Sequence, residues 1–480
     1  MKINFKKTAF LVFCCVLGII LFGCKNPFLA SADGKYQVNF VTNCETKIDS
    51  YRTDKIEAIQ ELTKEDYVFG GWYTNATFDG EAIKLPYKIT QDITLYAKWI
   101  DKSKILTFEE CSSTSDFVGV CNSYDNVECS DGLLTIGYDY ERIIFKNSQS
   151  TDLRIKLSNP KAKLIFENFS FSSSKGSLIE SSSDILIEYY GNNELSSSAS
   201  NAISLISSLG TIDFRGKNNG IFELQPNTVT TSTDGSVGVK ANKVIIDGGN
   251  FVIKGSDGWN NSNTGHDGGD GSTGIMADVV IKNNAVVTVS GGNGADGNDG
   301  QDNSLNKAKK GYKNGSPNGK AGDGDPGIPG GDAGDGGNGG NAITGYLKII
   351  SGNLSLSGGK GGDGGDGGQG GIGGDGGDNS AINSWTGSGG KGGKGGKAGK
   401  GGNGGDSING KFDNPNLSLV KLIPGKCGEN GKPGLGGIGG GIGWHEPPMG
   451  GIGSHKNPAG DSGDLGELPD SSPQDGVEHR

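Results

Sequence analysis

The residues best placed to do chemistry in this 480-residue chain are charged side chains set at every third position of glycine-rich runs. Gly358–Asp378 is seven consecutive GGx triplets, with Asp363, Asp366, Asp375 and Asp378 among the x residues. Gly389–Asp406 is six more, broken only by Ala398, with Lys391, Lys394, Lys397 and Lys400 at x. Carboxylates at a fixed spacing could attract divalent cations weakly, and a carboxylate pair beside Arg or Lys could cleave a polysaccharide. Arginine, however, occurs only as Arg52, Arg142, Arg154, Arg215 and Arg480. His266, His445, His455 and His479 are scattered through glycine-rich or terminal segments, which implies solvated loop positions. No CxxC pair and no Cys/His cluster offers a zinc site. The expectation is a chain with no catalytic residues, no metal and no cofactor. Trp259, Tyr312 and Trp385 are candidates of another kind. Each sits in a polar or glycine-rich arm with little apolar sequence to bury it, so each could stack on a ligand or else pin its arm to the body of the protein.

A period of three matches the left-handed polyproline-II helix, with three residues per turn and a rise of about 3.1 Å per residue. All x side chains then fall on one edge, and the two bare faces can pack on neighbours through backbone groups. The register predicts an ordered bundle of polyglycine-II-like arms, in which antiparallel pairing brings the Asp and Lys edges into one neighbourhood. Asn318–Asn341 and Gly291–Asp302 keep a looser triplet frame. Collagen is excluded, because 89 glycines are accompanied by only 15 prolines.

Four apolar cassettes must carry these arms: Val239–Lys254, Ile275–Ser290, Ile343–Ser357 and Ile408–Val420. In the first, Val244, Ile246, Phe251 and Ile253 are spaced two, five and two apart, and Leu347, Ile349, Leu354 and Leu356 repeat that spacing. The second fits with Thr288 in the last slot, and the fourth keeps Phe412, Leu417 and Leu419. Units this small must stack to bury an apolar face. Upstream, Leu133–Ile136, Arg142–Phe145, Lys163–Phe166, Asp184–Ile187 and Thr211–Phe214 are further candidate strands, with no useful amphipathic helix among them. Together they predict a right-handed parallel β-helix, or solenoid, over residues 105–425.

The run AKLIFENFSFSSSKGSLIESSSDILIEYYGNNELSSS resembles the solenoid family often labelled a bacterial carbohydrate-binding domain. The triplet tracts are similar, in composition and period only, to glycine-rich phage tail adhesins and a glycine-rich antifreeze protein. Gly291–Asp296 and Gly361–Asp366 match the start of the calcium-binding RTX nonapeptide GGxGxDxUx. That motif needs a large aliphatic at U, where Asn298 and Gly368 stand, so calcium binding of that kind is not expected.

Ahead of the solenoid, residues 36–100 are rich in aromatic and β-branched residues, as suits a small half-buried sheet. YVFGGWYTNATFDG followed by DITLYAKW resembles a Listeria-Bacteroides repeat, the B-repeat of internalin-type surface proteins. The resemblance implies a β-grasp-like module, with Trp72 and Trp99 as core or edge residues. Cys44-Glu45 stand where the family has a Gly-Gly turn. Ile56–Leu62 could form a helical turn or two. The fold class expected for the whole chain is thus mainly β: a β-grasp-like module, then a parallel β-helix with glycine-rich arms.

The N-terminus carries an address. Lys2, Lys6 and Lys7 precede an apolar run from Ala9 to Phe22, too short to span a bilayer comfortably but suited to a signal-peptide core. Leu21-Phe22-Gly23-Cys24 resembles a relaxed lipobox of bacterial lipoproteins, which implies signal cleavage after residue 23, lipidation of Cys24, and a tether over residues 24–35. The expected location is the bacterial cell envelope, lipid-anchored at the outer membrane or cell surface. Cys44, Cys111, Cys121, Cys129 and Cys427 remain, and Cys111, Cys121 and Cys129 are close enough in sequence for one local disulfide in an exported protein. Residues 426–480, Gly/Pro-rich and then acidic, read as a disordered tail.

The net charge of −11 becomes −14 without the three lysines of the first 23 residues. So acidic a chain is expected to be a poor nucleic-acid binder, with no concentration of basic residues next to aromatics to offset the charge. These features lead to a non-catalytic surface lipoprotein that binds a host or matrix ligand, glycan or protein. A structural spacer or coat protein is the second expectation, and a polysaccharide lyase or hydrolase the third.

Overall fold

The computed structural model describes residues 34–475 apart from 138–139, 159–162, 199–203, 227–235, 260–261, 315, 317–318, 381–383, 414–419, 443–460, 463, 466 and 470. The signal segment, Cys24, His445, His455 and His479 lie outside the described residues. The chain divides into two compact units, residues 1–105 and 106–480. No helix among the described residues is long and apolar enough to cross a membrane.

In the first unit, β1 (Tyr36–Val41), β2 (Tyr51–Thr53), β4 (Tyr67–Tyr73) and β6 (Ile93–Asp101) form a sheet in the order β2-β1-β6-β4. Strands β1 and β6 run parallel, and β4 is antiparallel to β6. Alternation in these strands turns Val38, Trp72, Leu95 and Ala97 inward, where Ile56 and Ile89 complete the core. Trp72 is 6% exposed. The Trp99 indole is half-buried and donates to the Thr42 carbonyl at 2.7 Å, so both tryptophans are packing residues. The turn after β1 is made by Asn43, in the left-handed region at φ 52°, whose side chain donates to the Ala97 carbonyl. Asparagine tolerates that conformation, which is how the turn forms without paired glycines. Ile56–Leu62 is not helical: β3 (Lys55–Ile56) pairs antiparallel with β5 (Tyr87–Lys88), and Ile56 is buried.

The second unit is built on two curled, mostly parallel sheets that share one apolar interior. Strands from successive turns stack in register. Ile143, Leu164, Ile187, Phe214, Ile246, Ile281 and Ile349 form one inward ladder of the larger sheet. Phe171, Leu195, Leu224, Ile253, Val289, Leu356 and Leu422 form the matching ladder of the smaller one. Between them lies a phenylalanine stack, with Phe145–Phe169 centroids 4.6 Å apart and Phe214–Phe251 4.7 Å apart. The open starting end of this interior is covered by α1 (Thr114–Cys121), which buries Phe117 and Cys121. Sequence periodicity missed this helix because it is only two turns long. Its signal is the capping box, in which Ser113 and Asp116 satisfy each other's backbone N–H groups.

Two cassettes differ from the sequence expectation. Thr288 points outward and Val287 and Val289 point in, because the corner at Asn283-Asn284 is one residue longer than that at Gly248-Gly249. In the fourth cassette the inward register positions are held by Val420 and Leu422, while Leu417 and Leu419 lie outside the described residues.

The arms leave the solenoid at one recurring corner, after Lys254, Ser290, Ser357 and Ile423, each the end of a strand in the smaller sheet. They contain almost no strand or helix, yet their backbone is closely hydrogen-bonded. The carbonyl-to-N–H chain at the base runs from Gly425 to Gly405, Gly359, Gly340, Gly292, Ser272 and Ser256, each N–H donating to the next carbonyl. The same zigzag recurs every three residues outward. A level further out it passes through Gly428, Gly402, Gly362, Gly337, Ala295, Gly269 and Trp259.

For the described residues of 426–442 and 461–475 this pattern departs from the expected disorder. Gly425, Gly428, Gly431, Gly434, Gly437 and Gly440 all donate into the arm 390–405, so 425–440 forms a further layer of the bundle. Residues 461–474 accept N–H groups from Gly392, Gly395, Ala398 and Gly404. Composition suggested disorder because little here can be buried, but backbone hydrogen bonds need only the triplet register.

Candidate functional site

In the regular triplets the three N–H groups have distinct destinations. The first donates to the third residue's carbonyl one layer on, as Gly361 does to Lys426 and Gly364 to Glu429. The second enters the zigzag. The third donates to a side-chain oxygen of the preceding layer: Asp363 N–H to Asp296 Oδ1 at 2.8 Å, Glu429 N–H to Asp363 Oδ1 at 2.9 Å, and Lys400 N–H to Asp335 Oδ1 at 2.7 Å. Asn293, Asn338, Asn341 and Asn403 serve in the same way. The repeated aspartates are thus backbone caps between layers. The hydrogen bond from Glu429 holds the Asp363 carboxyl below its usual range, with Lys360 adding to it.

The lysine edge is placed differently from the sequence expectation. Lys391 pairs with Asp464 at 3.2 Å, and Lys394 and Lys397 reach Glu467 at 2.6 and 3.2 Å. Its acidic partners therefore come from the C-terminal segment 461–474. The aspartates of the other arm are engaged elsewhere, Asp375 with Lys307 and Asp378 with Lys310, both at 2.6 Å.

On the solenoid's outer face, Glu188 lies 2.9 Å from Lys163 and accepts the Tyr190 hydroxyl. Burial alone would raise its carboxyl, but the Lys163 charge, the Tyr190 hydroxyl and Lys217 together hold it below the usual value. Asp213 is paired with Arg215 at 2.7 Å and Asp247 with Lys282 at 3.2 Å. Each of these carboxylates faces a fixed cationic partner, and the shift at Glu188 is the opposite of that of a raised general acid. Among the described residues, no three His, Cys, Asp or Glu side chains converge as a metal-ligand set.

The three aromatic candidates are divided by the bundle. The Tyr312 carbonyl accepts from Gly322, and the Trp385 carbonyl accepts from Ala321 while its own N–H donates to Gly319. Both therefore flank the segment 319–322, at the end of the arms far from the solenoid. Tyr312 is 69% exposed and Trp385 42%. Trp259 is half-buried and lies at the level of Gly269, Ala295 and Gly337, one triplet from the base. Five triplets separate that level from Tyr312, about 45 Å at a threefold rise. One site cannot hold all three.

Sequence reasoning also passed over the lysines beside the tip. Lys307, Lys309, Lys310, Lys313 and Lys320 are all exposed and fall within 14 residues that contain no acid. The signal, KAKKGYK, was hidden by the acidic average of the chain. Lys320 pairs with Asp323 at 3.0 Å. Asp325 is held at the level of Lys309 through its N–H bond to the Lys309 carbonyl.

Residues 36–98 match the family described as the Listeria-Bacteroides repeat domain. No curated protein and no solved structure matches the chain.

Proposed function

We propose that this chain is a non-catalytic, lipid-anchored protein of the bacterial cell surface that binds a host or matrix ligand, glycan or protein, in the manner of an adhesin. On this reading Cys24 carries the lipid, the first unit is a β-grasp-like module, and the second is a right-handed β-helix projecting a polyglycine-II bundle. The repeat matched at residues 36–98 supports it, because that repeat resembles modules of bacterial surface proteins. The observation that carries the binding claim is the pair Tyr312 and Trp385, exposed on either side of one segment at the far end of a hydrogen-bonded bundle. An aromatic exposed on a rigid support loses little entropy on binding, which favours a recognition role over a packing one.

The alternative is a spacer or coat protein without a specific ligand. It is favoured by the bundle itself, whose glycines and aspartates are used in backbone hydrogen bonding between layers. A polysaccharide lyase or hydrolase is the weaker third reading.

The test is a screen of the chain from Lys25 onward against glycans and matrix proteins, repeated with Tyr312→Ala, Trp385→Ala and Trp259→Ala. Saturable binding that falls at least tenfold with the first two and survives the third supports an adhesin with a tip site. Binding unaffected by any of them moves the site elsewhere. No binding by the parent chain leaves the spacer.

A further inference from the structure

A Cβ at the second position of a triplet points at the preceding layer. At Gly374 and Gly377 it would collide with the carbonyls of Lys309 and Tyr312, and at Gly390 and Gly393 with those of Asp325 and Ile328. Covered layers therefore keep glycine there. The arm after Lys254 is short: among the described residues, its outermost backbone hydrogen bonds to the next arm are at Asn298 and Asp299. Beyond that level no described segment precedes the arm 291–341. Its second positions there include Lys309 and Tyr312 on one side and Asp325 and Ile328 on the other. These side chains stand on the vacated face and bar a further glycine layer from adding to it.

The face so made is apolar and basic together. Ile328 is 54% exposed, and the exposed Tyr312 ring lies against Gly322. Leu305, 94% exposed, sits in the bulge Asn303–Asn306. That bulge is tied to the same face by the Asn303 side chain, which donates to the Pro329 carbonyl at 2.7 Å. Pro329 holds a third position, whose carbonyl in a covered triplet accepts from the preceding layer, as Asp335 does from Gly268. Lys307 and Lys310 are held by Asp375 and Asp378. Lys309 and Lys313 have no carboxylate within ion-pair distance among the described residues, and they outnumber Asp325, the acid at the level of Lys309. Exposed aliphatic and aromatic side chains gathered on one face mark a surface that is covered in use.

We propose that this face docks on an anionic lipid bilayer, with Leu305, Ile328 and Tyr312 entering the headgroup region and Lys309 and Lys313 meeting lipid phosphates. Aliphatic and aromatic side chains set beside unpaired lysines are the chemistry of an interfacial contact. A nucleic acid or a sulfated glycan would use the lysines and leave Leu305 and Ile328 in water. A neutral glycan would leave the lysines unused. A second copy, stacking as a glycine layer, is blocked by the second-position side chains. The headgroup region keeps water for the open backbone groups of the face, which the bilayer core would not. The acidic balance of the whole chain does not oppose the contact, because charges beyond about 8 Å are largely screened at physiological ionic strength. This inference does not depend on a host or matrix ligand.

Vesicle co-sedimentation of the chain from Lys25 onward tests it, since this form lacks the apolar run Ala9–Phe22, which would bind bilayers by itself. The chain is expected to sediment with vesicles of mixed phosphatidylglycerol and phosphatidylcholine roughly tenfold more strongly than with phosphatidylcholine alone, and more weakly as salt rises. Leu305→Ser with Ile328→Ser keeps every charge, and Lys309→Gln with Lys313→Gln keeps every apolar side chain. Each pair is expected to weaken binding by roughly tenfold or more while keeping the parent melting temperature. A chain that ignores phosphatidylglycerol vesicles at millimolar lipid overturns the proposal, as does binding that either pair leaves unchanged. Binding of heparin or duplex DNA through Lys309 and Lys313, with vesicles ignored, overturns it in favour of a polyanion site.

Discussion

The backbone N–H of Glu429 donates to the carboxylate of Asp363 across 66 residues of sequence, at 2.9 Å. Asp363 in turn donates its own N–H to Asp296 at 2.8 Å. One column of aspartates therefore ties three layers of the bundle together, and each member acts as acceptor for the next.

This column makes the bundle acid-sensitive. The carboxyls of Asp363 and Asp323 are held low first by backbone N–H groups, those of Glu429 and Ser388, and Asp375 is held low first by Lys307. A carboxyl depressed in the folded state stabilises it above the unfolded value of about 3.9 and loses that contribution as pH falls through the folded value. The melting temperature is expected to be flat from pH 7 to about 5 and to fall below about pH 4. Asp363→Asn keeps Oδ1, as Asn338 and Asn403 do, and should blunt the acid loss while holding neutral-pH stability. Asp363→Ala should lower stability at every pH. Thermal melts of the three proteins from pH 3 to 7 decide this, and identical pH profiles for parent and Asp363→Asn would refute it.

Glycine is needed in the layers for space. A Cβ at Gly362 would sit 1.9 Å from the Ala295 carbonyl oxygen, with backbone on both sides and no flexible atom to yield. Gly362→Ala should destabilise the bundle by about 3 kcal/mol or more, read by urea unfolding. Gly119, inside α1, has nothing within 4 Å of such a Cβ. Gly119→Ala should instead stabilise by up to about 1 kcal/mol through helix propensity. The same substitution is thus expected to change sign between two positions in one chain.

Cys121 and Cys129 are neighbours in the cap over the solenoid's first turn, in the same apolar cluster as Cys111. In an exported protein a thiol-oxidising carrier would accept the two hydrogens lost as the pair becomes a disulfide. Peptide mapping after alkylation should find Cys121 joined to Cys129, and Cys44 and Cys427 modified. The closed loop is short, so reduction should cost about 2–3 kcal/mol. A Cys111–Cys129 bridge, or alkylation of all five, would contradict the assignment.

The sequence by itself determined the repeat at residues 36–98, the predominance of β structure, and the stacking of Val239–Lys254 on its successors. These follow from local alternation of apolar residues, which fixes a strand's inner face whatever it pairs with. It also determined the triplet register, because a threefold helix puts every third side chain on one edge. What the aspartates and lysines on those edges do was decided only by the tertiary structure. Asp363 meets a backbone N–H 66 residues away, and Lys394 meets Glu467 in a segment whose composition read as disorder. Such partners depend on which layer lies beside which, and that is set by turn lengths in the solenoid. The splitting of Trp259 from Tyr312 and Trp385 has the same cause: arm length, multiplied by the rise of an extended helix, carries two aromatics to the tip and leaves the third near the base.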